Sequence, residues 1–436
     1  MRFTRSQLVI LGVISFFVVV AIGMLTGIIP GLRTSEDFAP ELELNVWGVF
    51  DDNYFYENFA AYNGTRRNVT INYKQIDAKN YENILINAIA AGAGPDVFMF
   101  HSSWLPKHSD KITPAPNTLT LEQFRGLFPT VAEQDFAPDK VVYALPLYID
   151  TLALYYNEEI FDSAAIAIPP RNWLEFQNII PKLRQINPDG QLARSAAAIG
   201  GTNTTTLYAS DVLSLLMLQS GTQMTDPTFS RATFAESVNG FYTGLDALQF
   251  YTKFTNAKDI YYAWDESLGN AIDAFAQGKT AMIFGYRDTQ KLIQEKSPLL
   301  RFKATAMPQP NLTDPAVNYA DYWGLAVSAK SQWPTWGWDL IQELTTNETA
   351  VETFLQTSGL PPALRTLIQK YSSDPDLGIF ARQALTARSW PQINKQLIAQ
   401  IFSQMIAAVV NQQLDPREAI TQAENEVTGL MQVKGP

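Results

Sequence analysis

The chain has 436 residues, more than one hydrophobic core supports, so two bodies of roughly 150 to 200 residues each are expected. Hydrophobic residues make up 46% and charged ones 17%, with no repeat at a fixed period, which excludes a disordered or solenoid chain. A net charge of −11 without any basic run sets nucleic acid aside as a partner, and the lack of cysteine rules out disulfides and a cysteine-linked lipid.

The first element in chain order is an uncharged apolar run over residues 8–29. At ~1.5 Å per residue, its length of about 22 residues matches a bilayer core of roughly 30 Å. Arg2 and Arg5 precede it and Glu36 and Asp37 follow, so the positive-inside rule puts the amino terminus in the cytoplasm and the rest outside. No small-x-small cleavage pattern follows, which favours a retained signal anchor over residues 1–33 and a single-pass cell-membrane protein.

After a polar tether, LELNVWGVF alternates like a half-buried strand and ends at Asp51 and Asp52. A helix near 54–62, a strand at 69–73, a helix at 80–91 closed by Gly92 and Gly94, and an apolar strand at 97–100 follow. This alternation predicts a parallel sheet with helices on both faces, which binds ligands beyond the carboxyl ends of its strands. Those ends carry Trp47 with Asp51 and Asp52, and Phe100 with His101, Ser102, Ser103 and Trp104.

Residues 143–157 place one carboxylate, Asp150, in a strand-like apolar run among Tyr148, Thr151, Tyr155 and Tyr156. That reads as a pocket wall leading to a helix capped by Asn172 with Glu175 three residues on. Helices at 211–219 and 238–254 are followed by a buried strand at 280–284 that delivers Tyr286 and Arg287. A loop-edge cluster of Tyr319, Tyr322 and Trp323 precedes a strand at 324–328, and helices at 336–344, 350–356, 390–410 and 416–431 complete the chain.

The QGKT at 277–280 is not a phosphate loop, because Asp273 stands where the pattern needs glycine. No serine-nucleophile or zinc-peptidase motif occurs, and His101 and His108 lack metal-ligand spacing, so no catalytic residue, metal or cofactor is expected. Asp51, Asp52, Asp150 and Asp265 leave a paired-carboxylate glycosidase open. Trp47, Trp104, Tyr286 and Trp323 lie near strand ends and serve either core or ligand, whereas Trp173, Trp336 and Trp338 lie on amphipathic helices and are expected in the core. Asp51 and Asp52 either cap the next helix or bind ligand.

The segments VWGVFDD, AIAAGAGPDVFMF, LPLYIDTLALYYNEEIF, PPRNWLEF, AFAQGKTAMIFG, YWGLAVSAKS and SGLPP, in this order, resemble family 1 extracellular solute-binding proteins. These are the maltose-binding-protein-like components of carbohydrate ABC importers, and the resemblance covers about residues 42–431. It implies a two-lobed α/β fold of the periplasmic-binding-protein type II, with hinge-crossing segments near 149–152, 323–325 and 372–375. Lobe 1 would comprise 42–149 plus 324–372, and lobe 2 would comprise 150–323 plus 373–436. The implied function is non-enzymatic: capture of a carbohydrate between lobes that close on it, and delivery to ABC permease subunits. The implied ligand contacts are Trp47, Asp51, Asp52, Phe100, His101, Ser103, Trp104, Asp150, Tyr286, Arg287 and Trp323, with Tyr208, Trp264 and Trp390 added from the second lobe. Three alternatives stand beside this reading. The same fold could bind a peptide, polyamine or other small polar solute, which Arg287 favours by pairing with a carboxylate, the binding module could serve a sensory receptor, and Asp51 or Asp150 with Asp265 could make a glycosidase. Two departures from the family count: a membrane helix replaces the lipid-bearing cysteine, and the HSSW turn has no acid, so maltodextrin specificity is not implied.

Overall fold

The computed structural model describes residues 13–20, 42–66 and 68–432. Of the apolar run 8–29, residues 13–20 are helical, and the remainder of the expected anchor lies outside the described residues. Among the described residues no helix is long and apolar enough to cross a membrane.

Strand Leu42–Gly48 alternates buried and exposed side chains, as its sequence pattern demands. It pairs in parallel with Val69–Gln75 on one side and with Val97–His101 on the other. The expected all-parallel sheet does not continue. Trp323–Ser328, which arrives from much later in the chain, pairs antiparallel with Val97–His101, and the short strands Ile112–Thr113 and Leu145–Pro146 pair with it in turn. Helix Ala78–Ala90, capped by Asp77, buries Tyr81, Leu85 and Ile89 against this sheet, and Pro334–Thr346 buries Trp338, Leu340, Ile341 and Leu344. The first core is built from these elements.

A second core surrounds strand Ala153–Asn157, which lies between Met282–Gly285 and Phe302–Thr305, antiparallel to both. Helix Ala209–Gln219 runs through this core with residues 209–217 all buried, as its nearly unbroken apolar sequence requires. Helices Trp173–Leu183, Thr243–Thr252, Lys395–Val410 and Pro416–Gln432 pack around it.

Between the two cores the chain passes through a small three-stranded sheet. Asp150–Thr151 pairs antiparallel with Asn318–Asp321, and that strand pairs in parallel with Ala387–Arg388. The third passage therefore falls near 387–390 and not at 372–375. Ala387 closes the first core and Trp390 belongs to the second. Helix Gly378–Ala384 faces both ways, with Ala381 and Ala384 in the first core and Phe380 in a satellite cluster beside the second.

Other expectations need correction. The helix expected at 238–254 starts at Thr243, because Asn239 (φ 51°) and Gly240 (φ 85°) make a left-handed turn that pairs Val238 with Phe241. The helix expected at 390–410 starts at Lys395, capped by the Asn394 side chain. Trp173 and Trp338 are buried as expected, but Trp336 is 36% exposed.

Candidate functional site

The site begins with Asp150, on the small sheet between the cores and 3% exposed. Its Oδ1 accepts the Thr151 N–H at 2.8 Å and its Oδ2 accepts the Arg287 N–H at 2.9 Å. Burial pushes its pKa well above the usual carboxylate range, and neighbouring Asp288 adds to the effect, against these two amides. The buried Tyr155 hydroxyl donates to the Tyr286 carbonyl at 2.7 Å, which fixes the turn carrying Tyr286 and Arg287 over Asp150. Tyr286 in turn donates to Asp211 Oδ2 at 2.9 Å, and the Tyr208 ring meets it edge-on, centroids 4.8 Å apart. The Tyr208 hydroxyl donates to Asp288 at 3.4 Å.

Asp321 is the second focus, at the end of the same small sheet. Its Oδ1 lies 2.6 Å from Lys395 Nζ and 2.9 Å from His101 Nε2, while His101 Nδ1 lies 2.9 Å from Ser103 Oγ. Lys395 also reaches Asp211 at 3.7 Å, so one polar chain runs from the carboxyl end of strand Val97–His101 to the central helix of the second core. Burial opposes ionisation of Asp321, but Lys395 and His101 outweigh it and hold the carboxyl below its ordinary range. Burial likewise raises Asp211, with Lys395 partly offsetting it, and the two aspartates keep Lys395 raised against its own burial. Lys395 and Asp321 keep side-chain exposures of 29% and 27%, so water reaches this crevice.

Aromatic faces wall the crevice. Trp323 meets His101 edge-to-face at 4.9 Å and Trp104 at 5.1 Å, and Trp104 stacks on Tyr81 at 5.9 Å. Tyr148 lies nearly buried against Phe50, with centroids 5.8 Å apart.

Of the residues expected from sequence, His101, Ser103, Trp104, Asp150, Tyr208, Tyr286, Arg287 and Trp323 thus gather around two linked foci. The others do not. Trp264 is fully buried, its indole N–H directed at Thr205 Oγ1 at 3.4 Å, and Phe100 is 1% exposed in the first core. Trp390 stacks on Phe402 and donates to Ser214 Oγ at 3.2 Å inside the second core. Trp47 lies under the Lys74 ammonium at 4.4 Å. Asp51 and Asp52 are exposed; Asp51 accepts the Asn53 N–H at 3.0 Å as a cap. Asp265 caps the turn at 266–268 by accepting the Ser267 N–H at 2.8 Å.

Sequence reasoning missed Asp211, Asp288, Asp321 and Lys395. Asp211 carried a usable signal, a lone acid in an apolar helix, whereas Lys395 carried none. Among the described residues no group of three histidines or acids is placed to hold a metal. The arrangement offers directional acceptors, one ammonium and several aromatic faces, which suits an uncharged ligand rich in hydroxyls.

Comparisons with known proteins follow this geometry. A sequence model of the bacterial extracellular solute-binding protein family matches residues 57–378. A binding protein of Brucella abortus (strain 2308) is 24% identical over 295 residues, 66% of this chain and 67% of that one. The structure of the cyclic alpha-maltosyl-1,6-maltose binding protein from Arthrobacter globiformis superposes with a TM-score of 0.74 at 17% identity, over 90% of this chain and 100% of that one. The sugar-binding protein MalE of Xanthomonas citri gives 0.73 at 18% identity, over 89% and 97% of the two chains. These likenesses identify a mixed α/β fold of the periplasmic-binding-protein kind.

Proposed function

The chain belongs to the bacterial extracellular solute-binding proteins, and from that premise we propose that it is the substrate-binding component of an ABC importer, with a carbohydrate as its ligand. The family sets the working location outside the cytoplasm. The observation that carries the sugar reading is the convergence of Asp321, Lys395 and His101 with the Trp323 face, at the seam between the two cores. The sugars in the names of its structural neighbours point the same way.

In this reading the lobes are 42–149 with 324 to about 386 and 150–323 with about 388–436; the two separate cores support this division, which moves the last boundary on from the 372 expected. Ligand contacts would come from His101, Ser103, Trp104, Asp150, Tyr208, Tyr286, Arg287 and Trp323, joined by Asp288, Asp321 and Lys395. Closure over the sugar favours the state in which both lobes touch it, and a permease reads that state. The protein captures its ligand and leaves it chemically intact. The uncharged run at 8–29 would hold it to the membrane as a single-pass anchor.

A second reading keeps the fold and changes the ligand to a solute with a carboxylate. It rests on Arg287 Nε, a buried donor without a hydrogen-bond partner. A thermal-shift screen of the full chain against neutral saccharides, peptides and amino acids separates the two. A ligand at 100 times Kd adds about 2.7 kcal/mol of apparent stability, so a stabilising saccharide recovered intact supports the first reading, and hits confined to carboxylates support the second.

A further inference from the structure

A cavity of about 300 Å³ lies at the hinge, and none of the residues placed in the crevice lines it. Arg171 and Met307 wall it from the second lobe, where Met307 belongs to that lobe's core. Arg382 and Gln383 wall it from helix Gly378–Ala384, whose Ala381 and Ala384 belong to the first core. Asn318 and Thr386 complete it at the small sheet between the lobes.

Its chemistry is the reverse of the crevice's. The protein carries a net charge of −11 and its crevice gathers aspartates, yet this cavity is lined by two guanidinium groups and no carboxylate. Arg171 is held from outside the cavity, its Nη2 donating to Glu175 Oε1 at 2.8 Å and its Nε to Oε2 at 3.3 Å, so Nη1 keeps its hydrogens for another acceptor. Arg382 donates through Nη1 to the Ser372 carbonyl and has no carboxylate partner among the described residues. A planar fork with unused donors matches the oxygens of a carboxylate or a phosphate. The surrounding polar groups are already fixed: Gln309 Nε2 donates to the Met307 carbonyl at 3.0 Å, and Asn318 Nδ2 donates to Thr386 Oγ1 at 2.9 Å. The volume equals about ten waters at ~30 Å³ each, room for a small organic acid or a short phosphorylated molecule.

We propose that this cavity is an effector site for a small oxyanion, a carboxylate or phosphate compound, and that the bound anion restrains the hinge. An anion bridging Arg171 and Arg382 ties the second lobe to a helix packed in the first core, so it resists any rotation that separates them. The cavity is also wired to the connecting strands. Gln383 Oε1 accepts the Met307 N–H at 2.9 Å, while its Nε2 donates to the Leu152 carbonyl at 2.9 Å and to Thr151 Oγ1 at 3.0 Å, directly after Asp150. Asn318 begins the strand that ends at Asp321, about 10 Å away at ~3.3 Å per residue. The effector and the crevice ligand therefore act on one set of strands, and each changes the affinity of the other by the same factor.

The test titrates the full chain with citrate and with inorganic phosphate by calorimetry, alongside Arg382→Gln, Arg171→Gln and, as the crevice control, Arg287→Gln. Arg171 and Arg382 are exposed, and unliganded melting temperatures check that every variant folds. The expected result is binding of at least one anion to the wild type, weakened about tenfold by Arg382→Gln and by Arg171→Gln and unaltered by Arg287→Gln. Which anion binds separates a carboxylate effector from a phosphate one. The hinge is read without any sugar: the chain has no cysteine, so Lys79→Cys in the first lobe and Lys258→Cys in the second, both exposed, take a pair of spin labels. The bound anion should narrow the distribution of distances between the labels, and should not do so when Arg382→Gln is added. No binding of either anion, a loss confined to Arg287→Gln, or a distance distribution that the bound anion leaves unchanged overturns the proposal, and none of these outcomes touches the carbohydrate reading.

Discussion

Lys395 Nζ lies 2.6 Å from Asp321 Oδ1, joining the first residue of a second-lobe helix to the last residue of a strand between the lobes. A cation at a helix amino terminus meets the unfavourable end of the helix dipole. Asp321 and Asp211 supply the compensation, and the cost locates the lysine where its charge serves the crevice.

Lys395→Met removes that charge and leaves two aspartates facing each other. Breaking a buried pair costs about 3–5 kcal/mol, and partial exposure reduces this to roughly 1–3 kcal/mol here. Asp321 should then titrate at a higher pH than in the wild type, since burial would act unopposed by the ammonium. Urea denaturation and carboxyl NMR titration check both effects, and unchanged values would show that the pair carries no charge coupling.

Asp135 sets a pH dependence with a definite sign. Burial pushes its carboxyl up to about 7, against hydrogen bonds from Ser389 and Tyr322. An unfolded aspartate titrates at about 3.9, so between roughly pH 4 and 7 the native state holds a proton that the unfolded state has released. Stability from this group is present at low pH and is lost as the pH rises through that window, by up to about 4 kcal/mol. Asp135→Asn removes this contribution while Asp150, Asp211 and Asp288, also raised by burial, act alike in both proteins. The difference between the two urea-denaturation profiles from pH 4 to 8 isolates it.

Trp264 and Trp323 should part company under alanine replacement. Trp264 is fully buried, and its loss should cost about 3–5 kcal/mol of stability without altering which ligands bind. Trp323 is half-buried beside His101 and Trp104, and its loss should weaken ligand binding about tenfold with a smaller effect on folding. Parallel melting and binding measurements decide; a ligand-specific effect at Trp264 would reverse the assignment.

Gly324→Ala tests the strand that returns to the first lobe. A Cβ there would stand 2.5 Å from the Leu145 carbonyl oxygen and 2.6 Å from a Phe136 ring carbon, so the strand must shift, at about 1–3 kcal/mol. Gly126→Ala is the matched control, since it lies in the helix Leu121–Leu127 with nothing within 4 Å of its Cβ, and it should gain roughly 0.5–1 kcal/mol. Thermal melts of the two variants should move in opposite directions.

Local patterns in the sequence carried the first sheet's parallel strands, the helix capped by Asp77, and the lone Asp150. The direction of Trp323–Ser328 left no local trace, because apolar runs read the same in parallel and antiparallel pairing. The shortened helix at Thr243 was readable from Asn239 and Gly240, a turn dipeptide, had it outweighed the apolar periodicity around it. The network of His101, Asp321, Lys395 and Asp211 assembles from four distant parts of the chain, and charge pairing at such separation has no period to detect.

Because Trp323–Ser328 lies between Val97–His101 and the shorter strands of the first sheet, that sheet keeps an open edge until residue 328 has been synthesised. At about 5–20 residues per second, the wait after His101 lasts roughly 10 to 45 s. The amino-terminal half emerges first yet cannot finish folding first.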